Sequence, residues 1–181
     1  MKRICLIALA AMIFPMAAAA QGAKPEANPV SSAVRQSVVR FSKIMVAAVD
    51  AMPADKYEYH PTPEQMTFGH LVAHMVGSNF LLCSKISGVA APESSKVTDK
   101  DSKDKLVAGL KASFDFCTET LAKVDDSNLG ESLTLFGTRT ASRAAAMMAL
   151  TNDFADHYSA AAMYLRLNGI LPPTAQPAKK E

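Results

Sequence analysis

Residues 30–53 read VSSAVRQSVVRFSKIMVAAVDAMP, and their large apolar side chains recur every three or four positions. This spacing places them on one face of an α-helix, so the segment predicts an amphipathic helix whose apolar stripe must be buried. The stripe consists of Val30, Val34, Val38, Phe41, Met45, Ala48 and Met52. Pro53 ends the helix, because proline cannot continue the backbone hydrogen-bond ladder. The stripe is typical of a helical bundle.

Three further segments have the same helical period and carry start and stop signals. These signals are Thr67 and Gly88 for the second helix, Asp101 or Ser102 for the start of the third, and Thr140, Asn168 and Gly169 for the last. Residues 132–136 are compatible with a short extended piece, and no other segment alternates as a strand does. We therefore predict an all-α fold, an antiparallel four-helix bundle.

The first twenty residues have the pattern of a secretory signal peptide. Lys2 and Arg3 precede an apolar run that is too short to span a bilayer, and Ala18 and Ala20 give a small-x-small cleavage site. We predict four parts: a cleaved signal peptide (1–20), a flexible leader (21–29), the bundle (30–173) and a disordered tail (174–181). The mature protein is expected to be exported, most simply to the periplasm, without a stable membrane anchor.

The charge of the mature chain argues against some classes of partner. Without Lys2 and Arg3, the 17 remaining basic residues balance the 17 acidic ones. Such a balance does not favour a nucleic-acid partner or an anionic membrane. The sequence also lacks a Ser-His-Asp pattern, a glycine-rich phosphate loop and a zinc HExxH motif.

Two pairs of polar residues have the spacing that places both members on one helix face. His70 and His74 are four residues apart on the second helix, and Asp153 and His157 are four apart on the last. Imidazole and carboxylate groups bind zinc, iron, nickel or manganese, so two such faces turned inward predict a metal site. The alternative is a core His157 hydrogen-bonded to Asp153, with solvated histidines on the second helix.

Three segments of the chain together resemble the DinB-like family. They are PTPE (61–64), TFGHLVAH (67–74) and DHYSAAAMYLRLNGILPP (156–173). The resemblance implies a four-helix bundle with a metal site commonly made of three histidines, one on the second helix and two on the last. His74 matches the first of these ligands and His157 the last. Asp153 stands where the family usually has the middle histidine.

The resemblance also implies a function and a set of candidate partners. The expected cofactor is one divalent ion (Zn, Ni, Fe or Mn) held by His74, Asp153 and His157, with His70 as an outer ligand. Ser159 and Ala160 replace the glycine and the amide residue that usually follow the last ligand. Some relatives are thiol-dependent transferases or isomerases, so candidate partners are a low-molecular-weight thiol and a small-molecule substrate. A second copy of the chain is a separate candidate partner.

Two hypotheses for the function remain open at this point. One is a metal-dependent transferase or hydrolase, because two histidines and one carboxylate leave coordination positions free. The other is a non-enzymatic exported bundle with a degenerate site, which binds a small ligand or acts as a scaffold.

Two cysteines, Cys83 and Cys117, remain after the predicted cleavage, each on the inner stripe of its helix. In an oxidising compartment they are expected to form a disulfide between the second and third helices. The alternative is a pair of buried thiols that pack as small apolar side chains.

Overall fold

The protein is described by a computed structural model that covers residues 25–93 and 96–177. Within these residues it contains helices α1 (Pro29–Ala51), α2 (Phe68–Ser87), α3 (Lys103–Leu121) and α4 (Arg143–Leu167). Strands β1 (Ser132–Phe136) and β2 (Arg139–Ser142) form an antiparallel hairpin between α3 and α4. The predicted signal peptide, residues 1–20, lies outside the described residues. None of the described helices is long and apolar enough to cross a membrane.

The four helices form a bundle in which α1 and α2 each pack against α3 and α4. Two neighbouring pairs are antiparallel, as predicted. Asp126 follows α3 and accepts a hydrogen bond from the backbone N of Val30 in the first turn of α1, at 2.9 Å. The ring centroid of Phe68, at the start of α2, lies 5.8 Å from that of Tyr164, near the end of α4.

The other two neighbouring pairs are parallel, so the expectation of a fully antiparallel bundle is wrong. On α2 and α3, the Asn79–Ser113 hydrogen bond of 2.9 Å is followed four residues later in each helix by the Cys83–Cys117 disulfide. The N-terminal halves of α1 and α4 likewise line one groove. The physical reason is the connection 88–102, which is long enough to return the chain along a helix of about 30 Å.

The helix boundaries follow local capping chemistry. Thr67 Oγ1 accepts a hydrogen bond from His70 N at 3.1 Å, and Ser102 Oγ accepts one from Lys105 N at 3.3 Å. These bonds confirm Thr67 as the N-cap of α2 and identify Ser102, rather than Asp101, as the N-cap of α3. Helix α2 ends at Gly88, whose φ of 76° suits glycine.

The last helix begins at Arg143 and not near Thr140, because residues 139–142 pair with β1. Gly137, with φ of 53°, makes the hairpin turn possible, and Ser142 caps the helix by accepting from Ala145 N at 3.2 Å. The all-α prediction therefore missed this hairpin, although residues 132–136 are extended as the sequence allows.

The core lies between the four helices, and most of the α1 stripe contributes to it. Val34, Val38, Met45, Ala48 and Met52 are buried. Both disulfide cysteines are fully buried, with a Cα–Cα distance of 5.3 Å.

The end of the bundle is ordered slightly further than the sequence predicts. Pro173–Ala175 form one 3-10 turn, where a disordered tail was expected from residue 174. The Tyr158 hydroxyl donates to Thr174 Oγ1 at 2.8 Å and accepts from Thr174 N at 3.1 Å. These two hydrogen bonds to α4 hold the turn.

Candidate metal centre

The predicted ligands lie on the facing sides of α2 and α4, which run antiparallel. The Thr67 cap starts α2, so His70 and His74 occupy its first two turns. Asp153 and His157 lie near the middle of α4, one turn apart. The antiparallel packing brings the imidazoles of His74 and His157 together, with ring centroids 4.9 Å apart and ring planes at 82°.

His157 is the buried member of the group, with 7% of its surface exposed. Its Nδ1 lies 3.1 Å from Oδ2 of Asp153. This approach is close enough for an ion pair, yet the two groups are not aligned as a hydrogen bond. Both atoms are buried and have no hydrogen-bond partner among the described residues. Buried polar atoms without partners are uncommon in folded proteins, because each one carries a desolvation cost.

His74 is exposed on one side and contacts His157 on the other. Desolvation by burial lowers its pKa, and the charges of His157 and then His70 lower it further, while Asp153 acts in the opposite direction. The lowered pKa favours the neutral imidazole at pH 7, and neutral imidazole is the form that binds metal ions.

His70 lies at the outer edge of the group, and its side chain is 55% exposed. Its Nδ1 is 3.7 Å from Oδ2 of Asp99 in the connection between α2 and α3. No sequence pattern points to Asp99, because loop residues have no periodicity that reports their tertiary neighbours. His70 and Asp99 therefore add one imidazole and one carboxylate at the outer edge of the group.

The sequence-predicted residues are thus neighbours, but they do not form a ready coordination shell. Within residues 25–93 and 96–177, no group of three or more His, Cys, Asp and Glu side chains is arranged to hold a metal ion. The buried pair on α4 and the exposed His74 on α2 are brought together, and His70 is turned to Asp99. The donor types nevertheless suit a divalent ion, since two imidazoles and a carboxylate are common ligands of zinc and iron.

Comparison with known proteins agrees with this architecture. The family model of the DinB superfamily matches residues 39–152, more than half of the chain. The match includes His70 and His74 and ends immediately before Asp153. No curated protein is similar enough to the chain to count as a match.

Two solved structures have a similar fold. A DinB-like protein from Bacillus cereus ATCC 10987 superimposes with a TM-score of 0.66 at 18% identity, over 78% of this chain and 95% of that one. A DinB-like protein from Bacillus subtilis gives a TM-score of 0.64 at 20% identity, over 81% of this chain and 99% of that one. At these identities the likeness shows the fold alone. With the sequence match, it confirms the predicted resemblance, and the chain belongs to the DinB superfamily.

Proposed function

We propose that the protein is an exported member of the superfamily that binds one divalent metal ion through His74, Asp153 and His157. The observation that carries this proposal is the pair of buried atoms on α4. His157 Nδ1 and Asp153 Oδ2 have no hydrogen-bond partner within the described chain and lie 3.1 Å apart. A shared cation would satisfy both atoms at once.

The distance between these two atoms supports a shared ligand. Two neighbouring ligand atoms that each lie about 2.0 to 2.2 Å from one ion are about 2.8 to 3.6 Å apart in octahedral or tetrahedral geometry. A simple imidazole–carboxylate hydrogen bond accounts less well for the pair, because the Asp153 oxygen is not in line with the ring N–H.

His74 is the natural third ligand. Its ring already contacts that of His157, and its exposed side leaves it free to rotate toward the pair. The proposed set has two histidines and one carboxylate, where the resemblance leads us to expect three histidines. The carboxylate adds a negative charge, which is compatible with zinc, iron, manganese or nickel.

The three residues would leave coordination positions open. When bound, the ion would lower the pKa of a water or a thiol held in such a position. His157 and Asp153 would each contribute a buried ligand atom, and the exposed side of His74 marks the face from which a small-molecule substrate would approach. We propose metal-assisted hydrolysis or thiol transfer as the reaction class.

Export is part of this proposal. Residues 1–20 have the pattern of a signal peptide, and the disulfide between Cys83 and Cys117 suits an oxidising compartment. Because low-molecular-weight thiols are kept reduced mainly in the cytosol, export favours hydrolysis over thiol transfer.

A second candidate function is a non-enzymatic bundle with a degenerate site. The specific observation in its favour is that, in the part of the chain that the structure describes, no three ligand side chains converge. Under this proposal, Asp153 is a neighbour of His157 in the α2–α4 interface and not a metal ligand. The protein then acts as a scaffold or binds a small apolar ligand.

Metal content distinguishes the two candidates. The mature chain is purified without a histidine tag and dialysed to remove loosely bound metal. It is then expected to retain about one metal ion per chain. His74→Ala and His157→Ala should each lose it. His60→Ala is the matched control, because His60 is exposed and its Nδ1 lies 2.7 Å from the carbonyl oxygen of Thr62. A wild-type chain that stays empty and cannot be loaded would favour the scaffold.

The middle ligand has a separate test. Asp153→His restores the residue that the family resemblance leads us to expect, so it should tighten the binding of zinc or nickel if position 153 is a ligand. Unchanged affinity, measured by competition with a chelator, would show that Asp153 does not contact the ion.

A further inference from the structure

A polar cavity lies at the other end of the bundle from the candidate metal centre. It has a volume of about 230 Å³ and is lined by Ser87, Lys123, Val124, Asp125, Ser127, Asn128 and Arg143. Ser87 is thirteen residues beyond His74 on α2, so the two sites are separated by about 20 Å along that helix. At about 30 Å³ per water molecule, the cavity has room for a small ion with a few waters.

Arg143 provides a buried cation in the wall of this cavity. Its side chain is 13% exposed, and its Nη2 donates to Oε2 of Glu131. Its Nε is buried and has no partner within the described residues. The guanidinium is therefore paired with a carboxylate through Nη2, while its Nε donor is left unpaired in the described chain. Arginine donors of this kind are well suited to binding oxyanions.

Lys123 provides a second cation in the same lining. It is exposed, and none of the ion pairs formed by the described residues includes it. The side-chain amide of Asn128 is a neutral donor nearby. The cavity therefore combines two cations with an amide, a set of groups that donate hydrogen bonds.

One residue in the lining, Asp125, carries a negative charge that would repel a bound anion. Oδ1 of Asp125 accepts hydrogen bonds from Ser127, at 2.9 Å from the backbone N and 2.5 Å from the hydroxyl. These bonds occupy one oxygen of the carboxylate and also the hydroxyl hydrogen of Ser127. Formal charges in the lining are two positive and one negative, and Glu131 beside Arg143 adds a second negative charge. Selection of an anion must therefore come from the Nε donor of Arg143, unpaired among the described residues, and from Lys123, not from net charge.

The backbone amides at the start of α4 are already hydrogen-bonded, so they are not available to bind an anion in this cavity. Arg143 N donates to the Glu131 carbonyl at 2.8 Å, Ala144 N donates to the Leu129 carbonyl at 3.0 Å, and Ala145 N is capped by Ser142. Recognition must therefore come from side chains. We infer that the cavity binds a small tetrahedral oxyanion, phosphate or sulfate, between the guanidinium of Arg143 and the ammonium of Lys123.

Isothermal titration of the mature chain, stripped of metals and kept at low ionic strength, tests this site with inorganic phosphate, sulfate and acetate as the probes. Saturable binding of phosphate or sulfate with a dissociation constant of about 1 mM or lower is expected. Lys123→Gln should weaken it about fivefold. Arg143→Lys should weaken it about tenfold, since an ammonium cannot replace the fixed Nε donor.

Lys100→Gln is the matched control, because Lys100 is an exposed loop lysine away from the cavity. It should leave the affinity unchanged, and a thermal melt of Arg143→Lys verifies that this variant folds. The proposal is overturned if the wild type shows no saturable binding below about 10 mM, if both cavity variants bind as tightly as Lys100→Gln, or if acetate binds as well as phosphate.

Discussion

The two sides of α2 differ in how completely their polar groups are satisfied. Toward α3, Asn79 donates to Ser113 and Cys83 is bonded to Cys117, and all four residues are fully buried. Toward α4, His74 is exposed to solvent and contacts His157, whose Nδ1 has no hydrogen-bond partner in the described chain. The α2–α3 interface therefore contributes mainly to stability, whereas the α2–α4 interface leaves potential ligand atoms without hydrogen-bond partners among the described residues.

The comparison implies that changes on the α3 side lower stability, while changes on the α4 side alter binding. Asn79 Oδ1 departs from this rule, since it too lacks a hydrogen-bond partner among the described residues. The amide nitrogen of the same side chain is paired, so the departure is partial.

The largest effect is expected from opening the disulfide. The bond closes a loop with a sequence separation of 34, and the chain-entropy model gives a stabilisation of about 3 to 4 kcal/mol. The double variant Cys83→Ala, Cys117→Ala should lose this much free energy of unfolding in urea. Its affinity for zinc should change little. A parallel loss of zinc binding would show that the two sides of α2 are coupled.

Ser113→Ala is the next largest change. The Ser113 hydroxyl accepts from Asn79 at 2.9 Å and donates to the Leu110 carbonyl at 2.7 Å. Its removal leaves the buried Asn79 amide unpaired, which should cost about 1 to 2 kcal/mol. Urea denaturation measures the loss, and Ser159→Ala on the exposed face of α4 serves as the control for the same substitution within a helix.

Asp153→Asn should act in the opposite direction in the metal-free protein. Asp153 Oδ2 is buried and has no aligned hydrogen bond among the described residues, although it lies 3.1 Å from Nδ1 of His157, so removing the carboxylate charge should raise the free energy of unfolding by about 1 kcal/mol. The same variant should lose the stabilisation that added zinc gives the wild type. A variant that is destabilised without metal would show that the carboxylate already has a stabilising partner.

The smallest effect concerns pH. The pKa of His74 is lowered in the folded state, chiefly by desolvation, so the unfolded chain binds more protons between the folded pKa and the ordinary value of about 6.5. Stability should therefore fall as pH drops through that window. In His74→Gln the fall should be shallower, as measured by thermal melts of metal-free protein from pH 8 to 5. Identical pH profiles would contradict this role of His74.

Local features of the sequence determined most of the helices but not their arrangement. The stripe through Met45 and the caps at Thr67 and Gly88 depend on neighbours along the chain, which periodicity reports. The parallel packing of α2 and α3 and the pairing of β2 depend on contacts between distant residues. The bond from Val30 N to Asp126 spans 96 residues and has no sequence signal of its own.

The candidate site could be predicted only at the level of which residues are neighbours. The spacing of Asp153 and His157 and the match of His74 to the family's first ligand were sufficient to place three groups in one interface. The rotamers, the exposure of His74 and the approach of Asp99 to His70 depend on packing that no spacing rule contains. The predicted signal peptide stays a prediction.

The most direct test of the central claim is a crystal structure of the zinc-loaded mature chain, with anomalous differences recorded at the zinc edge. We predict a single peak about 2.0 to 2.2 Å from a nitrogen of His74, a nitrogen of His157 and an oxygen of Asp153. A peak bound elsewhere, for example at His60, or the absence of a peak between α2 and α4, would contradict the claim.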